Sequence, residues 1–449
     1  MGQTSTSLCC IFICFMLAQT VFQVESANIL FFFGVSSYSH RLPAWPLVTG
    51  LAEKGHNVTF LSPFKAKNPH PKVVDYAPRK FSEWAESWDE MNMFDMRKKG
   101  DMYKQWLILP YFGIAMCEKL YSDEEFINWV KSSTYDLVFI DALFNECGYG
   151  MAHIFGAKVI QFDTTTVFPW YSSAFGSPDE TNWIPDMAYV FGANEVTFQN
   201  RLINALIPVG WDLFRSWIYF PQLEEITRTG LSTTDLPTFQ DIEKNVSMIF
   251  LNTYYSEEFA RALPPNMVSI GGIAYVEKRT PLPKDLAAFL EKGNGFIYVS
   301  FGTVADLQKM DASTQQAIIG ALQSFPELQF VWKLRNDSLL KEFPNGNVYI
   351  SNWMPQQDIL SHPKIKAFIT HSGLIGIQES IYNAVPLISF PIFAEQDYNA
   401  ERVHRNEYGI RLEITTVNQA ELEDAISKVV NDSKYDPDFK FTQYSTNDA

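Results

Sequence analysis

Two residues in the first third of the chain have the types that a proton-transfer site needs. His40 follows the apolar run Asn28–Val35, which predicts a strand, and Asp141 follows a second such run, Asp136–Ile140. Because the carboxyl ends of parallel strands meet at one edge of a sheet, we expect the two side chains to lie close together. A histidine with a pKa of about 6.5 can take a proton from a hydroxyl group, and a carboxylate can fix its tautomer. The pair predicts a general base, with a merely structural histidine as the alternative.

A second set of polar side chains lies within residues 351–396. The predicted strand Ile365–Thr370 is followed by HSGLIG, residues 371–376, a turn of small residues that opens a helix. Free backbone N–H groups and the helix dipole favour an anion at such a turn. Glu379, on the same helix, offers a carboxylate for vicinal hydroxyls, and Trp353 offers a ring for base stacking unless it is a core aromatic. The segment predicts a site for a nucleotide diphosphate joined to a sugar.

Bulk composition excludes several classes of protein. The chain has 449 residues, of which 47% are hydrophobic and 19% charged, so a folded protein of two domains is expected. Its net charge of −16 argues against nucleic acid or an anionic membrane surface as a partner. Aromatic residues make up 15%, which suits a pocket for an apolar small molecule. No cluster has metal-ligand spacing, so metal-free chemistry without a bound cofactor is expected.

The N-terminus predicts secretion. The apolar stretch 8–24 has the size of a signal-peptide core, with cleavage expected before Ala27, so residues 1–26 would be the leader. Cys117 and Cys147 then remain, either as one bridge or as two buried thiols. No other apolar run is long enough to span a membrane. Glycosylation sequons begin at Asn57, Asn245, Asn336 and Asn431.

Short apolar runs alternate with helical patterns in both halves, which predicts two parallel sheets with crossover helices. The strands predicted besides the three above are Asn57–Leu61, Lys158–Phe162, Ser247–Asn252, Gly295–Gly302, Leu328–Leu334, Asn347–Ser351, Pro386–Phe390 and Gly409–Leu412. We predict an N-terminal domain at 27–270, a linker at 271–284 and a C-terminal domain at 285–449. Residues 201–220 are strongly apolar and are expected to form core or the wall of a pocket for an apolar substrate, with contact to a membrane face as the alternative.

The spacing from His371 through Gln396 resembles the signature of the UDP-glycosyltransferase family. It has His-x-Gly, a small residue three positions later, an acid three after that, two prolines five apart, and an acid–Gln pair. The resemblance covers about residues 28–433 and implies an α/β protein of the GT-B fold, with two Rossmann-like domains facing a cleft. Three residues depart from the usual pattern: Ser372 replaces Gly, Ile375 replaces an Asn that would offer a polar phosphate contact, and Glu395 replaces Asp.

The resemblance also implies a role for individual residues. His40 and Asp141 fall where the family has its catalytic His–Asp dyad. Residues implied to bind UDP are Ser300, Thr303, Trp353, Met354, Gln356, His371, Gly373, Gly376 and Glu379, and those implied to bind the sugar are Glu395 and Gln396. The N-terminal domain would bind the acceptor and the C-terminal domain the UDP-sugar. The implied reaction is inverting transfer of glucose or glucuronic acid from UDP-glucose or UDP-glucuronate, a co-substrate, to a small lipophilic phenol or alcohol.

Membrane-bound animal members of the family continue beyond the point where this sequence stops. We therefore expect a truncated form of the secretory pathway, lumenal in the endoplasmic reticulum or secreted, without the family's membrane anchor. Truncation makes a catalytically impaired nucleotide-sugar-binding isoform or partner subunit the alternative. A GT-B epimerase is disfavoured by the aromatic-rich first half and the leader. The sequence leaves open a homo-oligomer and a peripheral membrane contact.

Overall fold

The computed structural model describes residues 26–86, 92–100, 102–192, 195–255, 257–275, 281–302, 309–334 and 338–435. All but the last residue of the predicted leader lies outside these ranges, as do Thr303 and Asn336. The described chain forms two parallel sheets, one in each half. This is the arrangement that alternating strand and helix patterns predict.

The first sheet has seven strands in the order β3-β2-β1-β4-β5-β6-β7. Their bounds are β1 Asn28–Phe32, β2 Asn57–Leu61, β3 Val73–Tyr76, β4 Leu137–Asp141, β5 Lys158–Asp163, β6 Met248–Leu251 and β7 Met267–Ser269. Five were predicted, although β1 ends three residues early and Asp141 is the last residue of β4. The edge strands β3 and β7 were missed because they are short, and the residues of β3 are only partly buried or exposed.

The second sheet has six strands in the order β10-β9-β8-β11-β12-β13. Their bounds are β8 Phe296–Ser300, β9 Gln329–Lys333, β10 Val348–Ser351, β11 Ile365–Thr370, β12 Leu387–Ser389 and β13 Gly409–Arg411. All six were predicted, most of them a residue or two longer. Central strand β8 is buried along its whole length, which explains why its sequence reads as a continuous apolar run.

Helices occupy most of the connections between strands. In the first half they are Tyr38–Glu53, Arg79–Glu86, Met93–Lys98, Met102–Tyr121, Glu124–Ser132, Gly148–Phe155, Pro169–Phe175, Phe198–Phe214, the π-helical turn Arg215–Tyr219, Phe220–Leu231 and Phe239–Lys244. In the second half they are Lys284–Glu291, Ala312–Gln323, Gln356–Leu360, Leu374–Tyr382, Gln396–Arg405 and Gln419–Asn431, with 3₁₀ turns at Ser338–Glu342 and Ser433–Tyr435. The first of these helices ends just before Gly55, whose φ of 97° requires glycine.

Phenylalanines fill the core on one face of the first sheet. The rings of Phe31 and Phe139, on neighbouring strands, stack with their centroids 4.3 Å apart, and Phe60 lies 6.1 Å from Phe31. Each is almost wholly buried, and burying such a side chain stabilises the fold by about 1.5–3 kcal/mol. Much of the aromatic content therefore builds the core, and does not by itself argue for an acceptor pocket.

The two remaining cysteines form a disulfide between Cys117 and Cys147, with their Cα atoms 5.6 Å apart. The bridge ties the helix Met102–Tyr121 to the residue that precedes the helix Gly148–Phe155. This settles the alternative that the sequence left open. The bridge fixes the long helix beside the carboxyl end of β4, where Asp141 lies.

The apolar segment 201–220 is only partly core. Trp211 and Tyr219 are buried, as expected. The other face, however, exposes a row of apolar side chains at helical spacing: Phe198, Leu202, Leu206, Val209, Leu213 and Trp217. The expectation of core, made for residues 201–220, is wrong for the five members of this row from Leu202 to Trp217. Across the described ranges, no helix is both long enough and apolar enough to pass through a bilayer.

Candidate active site

The carboxyl ends of β1, β4 and β5 bring a histidine and an aspartate together. His40 lies in the first turn of the helix that follows β1, and Asp141 is the last residue of β4. His40 Nδ1 is 2.7 Å from Asp141 Oδ2, as predicted from the adjacency of the two strands. The Asp141 side chain is fully buried, whereas the His40 side chain keeps 15% of its surface exposed. The pair therefore has a sheltered carboxylate and an accessible ring.

Burial and charge act against each other at this pair. Burial alone would lower the pKa of His40, but nearby carboxylates, with Asp141 first among them, outweigh it and the pKa lies above its ordinary value. Burial raises the pKa of Asp141, while attraction to His40 opposes that rise. An ionised carboxylate accepts the Nδ1 hydrogen and leaves Nε2 of the neutral ring unprotonated. Nε2 is then the atom that can accept a proton.

Two residues at the end of β5 complete this site, and sequence reasoning missed both. The hydroxyl oxygen of Thr164 lies 2.9 Å from His40 Nδ1, so this nitrogen has two oxygen neighbours. Asp163 is fully buried, and its Oδ2 has no hydrogen-bond partner among the described residues. Burial raises the pKa of Asp163 well above its usual range, although hydrogen bonds from Thr165 oppose this. The sequence signal for both residues was the run of polar side chains at the carboxyl end of the apolar strand β5.

Two glycines of the second domain make room for the ring of His371, the residue directly after β11. A Cβ on Gly302 would come within 2.7 Å of His371 Nε2, and one on Gly373 within 2.6 Å. Gly302 also has a φ of 80°, a conformation that other residues rarely adopt. The two glycines let the loop after β8 and the turn after β11 close around this imidazole.

His371 is neutral at physiological pH. Burial, aided by the positive charge of Lys333, lowers the pKa of His371 to about 4. Its Nδ1 is buried without a hydrogen-bond partner in the described part of the chain. A buried polar atom without a partner costs free energy, so a ligand that supplies one would bind favourably here.

The turn after His371 begins the helix Leu374–Tyr382, with Gly373 as its N-cap. The backbone N–H groups of the first turn have no partner inside the helix and can therefore receive an anion. Gly376 lies in this turn, and a Cβ there would approach Phe368 no closer than 3.4 Å, so a small side chain would also fit. Ser372 has a φ of 66°, which explains the usual preference for glycine at its position.

Two polar side chains meet where β8, the helix Gln356–Leu360 and the helix Leu374–Tyr382 come together. Gln356 Nε2 donates to Glu379 Oε2 at 2.6 Å, and Gln356 Oε1 accepts from the Tyr298 hydroxyl at 3.3 Å. Burial raises the pKa of Glu379, although the Gln356 hydrogen bond acts in the opposite direction. The contact fixes the carboxylate two turns from the anion-binding end of its helix.

The other residues predicted to bind UDP differ in what they present. Trp353 is 58% exposed, so a core role for its ring is excluded. The Met354 side chain is buried in the hydrophobic core, which leaves its backbone as the group that can face a ligand. Ser300 is buried at the end of β8, where its hydroxyl oxygen lies 3.5 Å from Gly302 N. Thr303 lies outside the described residues.

Glu395 and Gln396 begin the helix that follows β12. Gln396 Oε1 accepts hydrogen bonds from the backbone N–H groups of Ile392 and Phe393, which fixes this side chain in the loop. The negative charge of Glu395 contributes to the raised pKa of His40, although the two residues belong to different domains. The loop that carries Glu395 also contacts the first domain directly, since the backbone N–H of Ala394 donates to Gln105 Oε1 at 2.9 Å. In the described ranges, no group of three His, Cys, Asp or Glu side chains is arranged to hold a metal ion.

Comparison with known proteins identifies the family. The sequence profile of UDP-glucuronosyl and UDP-glucosyl transferases matches residues 36–440. UDP-glycosyltransferase UGT4 of Dactylopius coccus is 28% identical over 416 residues, covering 91% of this chain and 80% of the relative. UDP-glucuronosyltransferase 1A7 of Mus musculus is 30% identical over 324 residues, covering 71% of this chain and 58% of the relative.

A solved structure shows the same architecture. A UDP-glucosyltransferase from Polygonum tinctorium, capable of glucosylating indoxyl, matches with a TM-score of 0.59 at 15% identity, covering 94% of this chain and 93% of that one. This likeness concerns the fold, whose two parallel-sheet domains are those of GT-B glycosyltransferases. Since the family profile spans most of the sequence, the chain belongs to the UDP-glucuronosyl and UDP-glucosyl transferase family of enzymes.

Proposed function

We propose that this enzyme transfers a hexosyl group, glucose or glucuronic acid, from a UDP-sugar to a hydroxyl group of a small lipophilic acceptor, with inversion at the anomeric carbon. The observation that carries the proposal is the 2.7 Å contact between His40 Nδ1 and Asp141 Oδ2 at the cleft edge of the first sheet. It sets the tautomer that a general base needs.

The reaction requires one proton transfer and one displacement. His40 Nε2 takes the proton of the acceptor hydroxyl as its oxygen forms a bond to the anomeric carbon. The bond from that carbon to the phosphate oxygen breaks, and UDP leaves from the opposite face with the electron pair. Asp141 stabilises the imidazolium that forms. Because there is a single displacement, an α-linked donor gives a β-glycoside.

The second domain offers a group for each part of the donor. The exposed ring of Trp353 suits stacking with uracil, and Glu379, held by Gln356, suits the ribose hydroxyls. The turn around Gly373 presents backbone N–H groups to the diphosphate and would stabilise its charge as UDP leaves. Glu395, together with the amide nitrogen of the adjoining glutamine, suits the sugar hydroxyls.

Substitution of His40 tests the proposal. The variant His40→Ala should lose transfer by a factor of about 10²–10⁴, the usual contribution of a general base, because it removes the imidazole nitrogen that takes the proton. UDP affinity, measured by calorimetry, should stay unchanged, since the nucleotide groups lie in the other domain. Turnover at the wild-type rate in this variant would reject the base assignment.

A donor panel tests the substrate class. UDP-glucose, UDP-glucuronate and UDP-galactose would be offered with mixed phenols and steroids, and products scored by mass spectrometry. Binding of UDP without release of UDP from any donor would instead support the nucleotide-sugar-binding alternative. Absence of UDP binding by folded protein would refute both.

We further propose that the enzyme works in the secretory pathway and rests on a membrane through its first domain. The disulfide suits an oxidising compartment. The exposed apolar row from Phe198 to Trp217 is about 30 Å long and carries bulky side chains suited to a lipid interface. Flotation with phosphatidylcholine vesicles tests this contact: Leu206→Ser should weaken binding, and the equally exposed Val74→Ser on β3 should not. Wild-type protein that stays with the aqueous fraction would refute it.

A further inference from the structure

A segment of the first domain crosses to the second and packs against it. Asn92 caps the short helix Met93–Lys98 by accepting hydrogen bonds from the N–H groups of Phe94 and Asp95. Phe94 is 7% exposed and belongs to the hydrophobic core of the second sheet, with Ile297 and Phe390. The segment is therefore anchored in the donor-binding domain, although the chain around it belongs to the acceptor-binding domain.

The buried guanidinium of Arg97, on this helix, makes a bidentate contact with each of two acids of the second domain. Its guanidinium nitrogens reach the Asp397 carboxylate at 2.8 and 3.0 Å and the Glu413 carboxylate at 2.6 and 2.8 Å. The Arg97 side chain is 6% exposed. Charge-assisted forks of this kind are strong and directional, so they restrict where the two carboxylates can lie. Asp397 also accepts a hydrogen bond from Arg411 at 2.8 Å.

A second contact from the first domain reaches the same loop. Gln105, on the helix Met102–Tyr121, accepts a hydrogen bond through Oε1 from the backbone N–H of Ala394 at 2.9 Å. Ala394 has a φ of 54°, so this backbone position is unfavourable for a residue other than glycine and needs support. The first domain thus holds residue 394 through Gln105 and residue 397 through Arg97.

Glu395 and Gln396, the pair suited to the sugar hydroxyls, lie between these two held positions. We infer that Arg97 and Gln105 are positioning residues of the acceptor-binding domain that set the geometry of the sugar-binding pair. This inference rests on the proposed function. It makes the sugar end of the donor site dependent on both domains, whereas at the nucleotide end the contact that holds the Glu379 carboxylate comes from Gln356 of the second domain.

The test compares affinity for UDP with affinity for UDP-glucose in the full chain. Because Arg97 and Gln105 act at the sugar end, the variants Arg97→Gln and Gln105→Ala should bind UDP within about two-fold of the wild type. Two quantities should fall: the gain in affinity that the glucosyl group provides over UDP alone, and kcat/KM for UDP-glucose. Each should fall about ten-fold or more in Arg97→Gln and about two- to ten-fold in Gln105→Ala. The variant Arg97→Lys should recover part of the loss, since it keeps the charge without the fork.

Lys98→Gln is the matched control, because Lys98 lies next to Arg97 and pairs with Asp311 on the exposed surface. It should leave both affinities and kcat/KM unchanged. Wild-type values for UDP-glucose in Arg97→Gln and Gln105→Ala would overturn the inference while leaving the proposed function intact. An equal loss of UDP and UDP-glucose affinity would also overturn it, since the contacts would then support domain packing only. Wild-type protein that binds neither ligand would refute the proposed function and this inference with it.

Discussion

Replacing Asp141 with asparagine removes one buried charge beside His40 and preserves the size of the side chain. In the wild type the carboxylate accepts from Nδ1 at 2.7 Å, so Nε2 is free to take a proton. An asparagine amide can instead donate to Nδ1 and favour the tautomer that carries its hydrogen on Nε2. That tautomer cannot act as a base. The substitution therefore tests the orientation of the imidazole, and not only its presence.

The expected loss follows from what remains after the substitution. The Thr164 hydroxyl still lies 2.9 Å from Nδ1, but a neutral hydrogen bond contributes about 0.5–1.5 kcal/mol against about 1.5–3 kcal/mol for a charged one. Loss of the tautomer and of imidazolium stabilisation should lower kcat/KM by about 10²–10⁴, or about 3–5 kcal/mol. Thr164→Val should cost about ten-fold or less, since it leaves the carboxylate in place.

The pH profile gives an independent readout. Activity needs a neutral His40, so kcat/KM should rise with pH through a pKa above 6.5 in the wild type, because Asp141 raises the pKa of His40. In Asp141→Asn burial dominates, and the rise should move to lower pH. The assay is kcat/KM for UDP-glucose and a phenol from about pH 5 to pH 9, with UDP calorimetry as the control. Unchanged activity and an unmoved profile, with UDP binding intact, would refute the dyad.

Four further outcomes are expected. Trp353→Ala should weaken UDP binding in calorimetry by about 1–3 kcal/mol with little change in melting temperature, because the ring is 58% exposed; equal affinity would exclude stacking. Ser372→Gly should raise the free energy of unfolding by about 1 kcal/mol in a denaturant titration, since it relieves a φ of 66°, and a fall would show that its hydroxyl matters more. Reducing the Cys117–Cys147 bridge, which spans 30 residues, should lower that free energy by about 3–4 kcal/mol; the alanine double variant should show the same loss and no response to reductant. Burial raises the pKa of Glu257 to about 7, so the folded state binds this proton more tightly than the unfolded state does. The free energy of unfolding should therefore fall by about 3 kcal/mol as pH rises from about 4.5 to about 7. Thermal melts of Glu257→Gln should lack this fall, and a pH dependence identical to that of the wild type would contradict the prediction.

Much of the fold follows from local patterns in the sequence. The predicted strands of the second half all form. A central strand such as β8, which is buried along its whole length, needs an unbroken apolar run, and that run is visible in the sequence. The contact between His40 and Asp141 was also predictable, since both follow apolar strands and the carboxyl ends of parallel strands share one edge. The same reasoning applies to Thr164, which lies in the polar run directly after β5 and was overlooked.

Other features were decided by contacts between distant parts of the chain. The edge strand β3 has too little burial to leave an apolar pattern, and the row from Phe198 to Trp217 is as apolar as a core helix although it faces outward. Composition records how many aromatic residues there are, but only packing divides them between core and surface. Arg97 and Asp397 meet across 300 residues of sequence, because the two domains are packed together. Local sequence therefore specified the strands, the turns and the polar side chains at the strand ends. Tertiary structure decided which groups of the two domains share one cleft, because only folding brings such distant charges within hydrogen-bond reach.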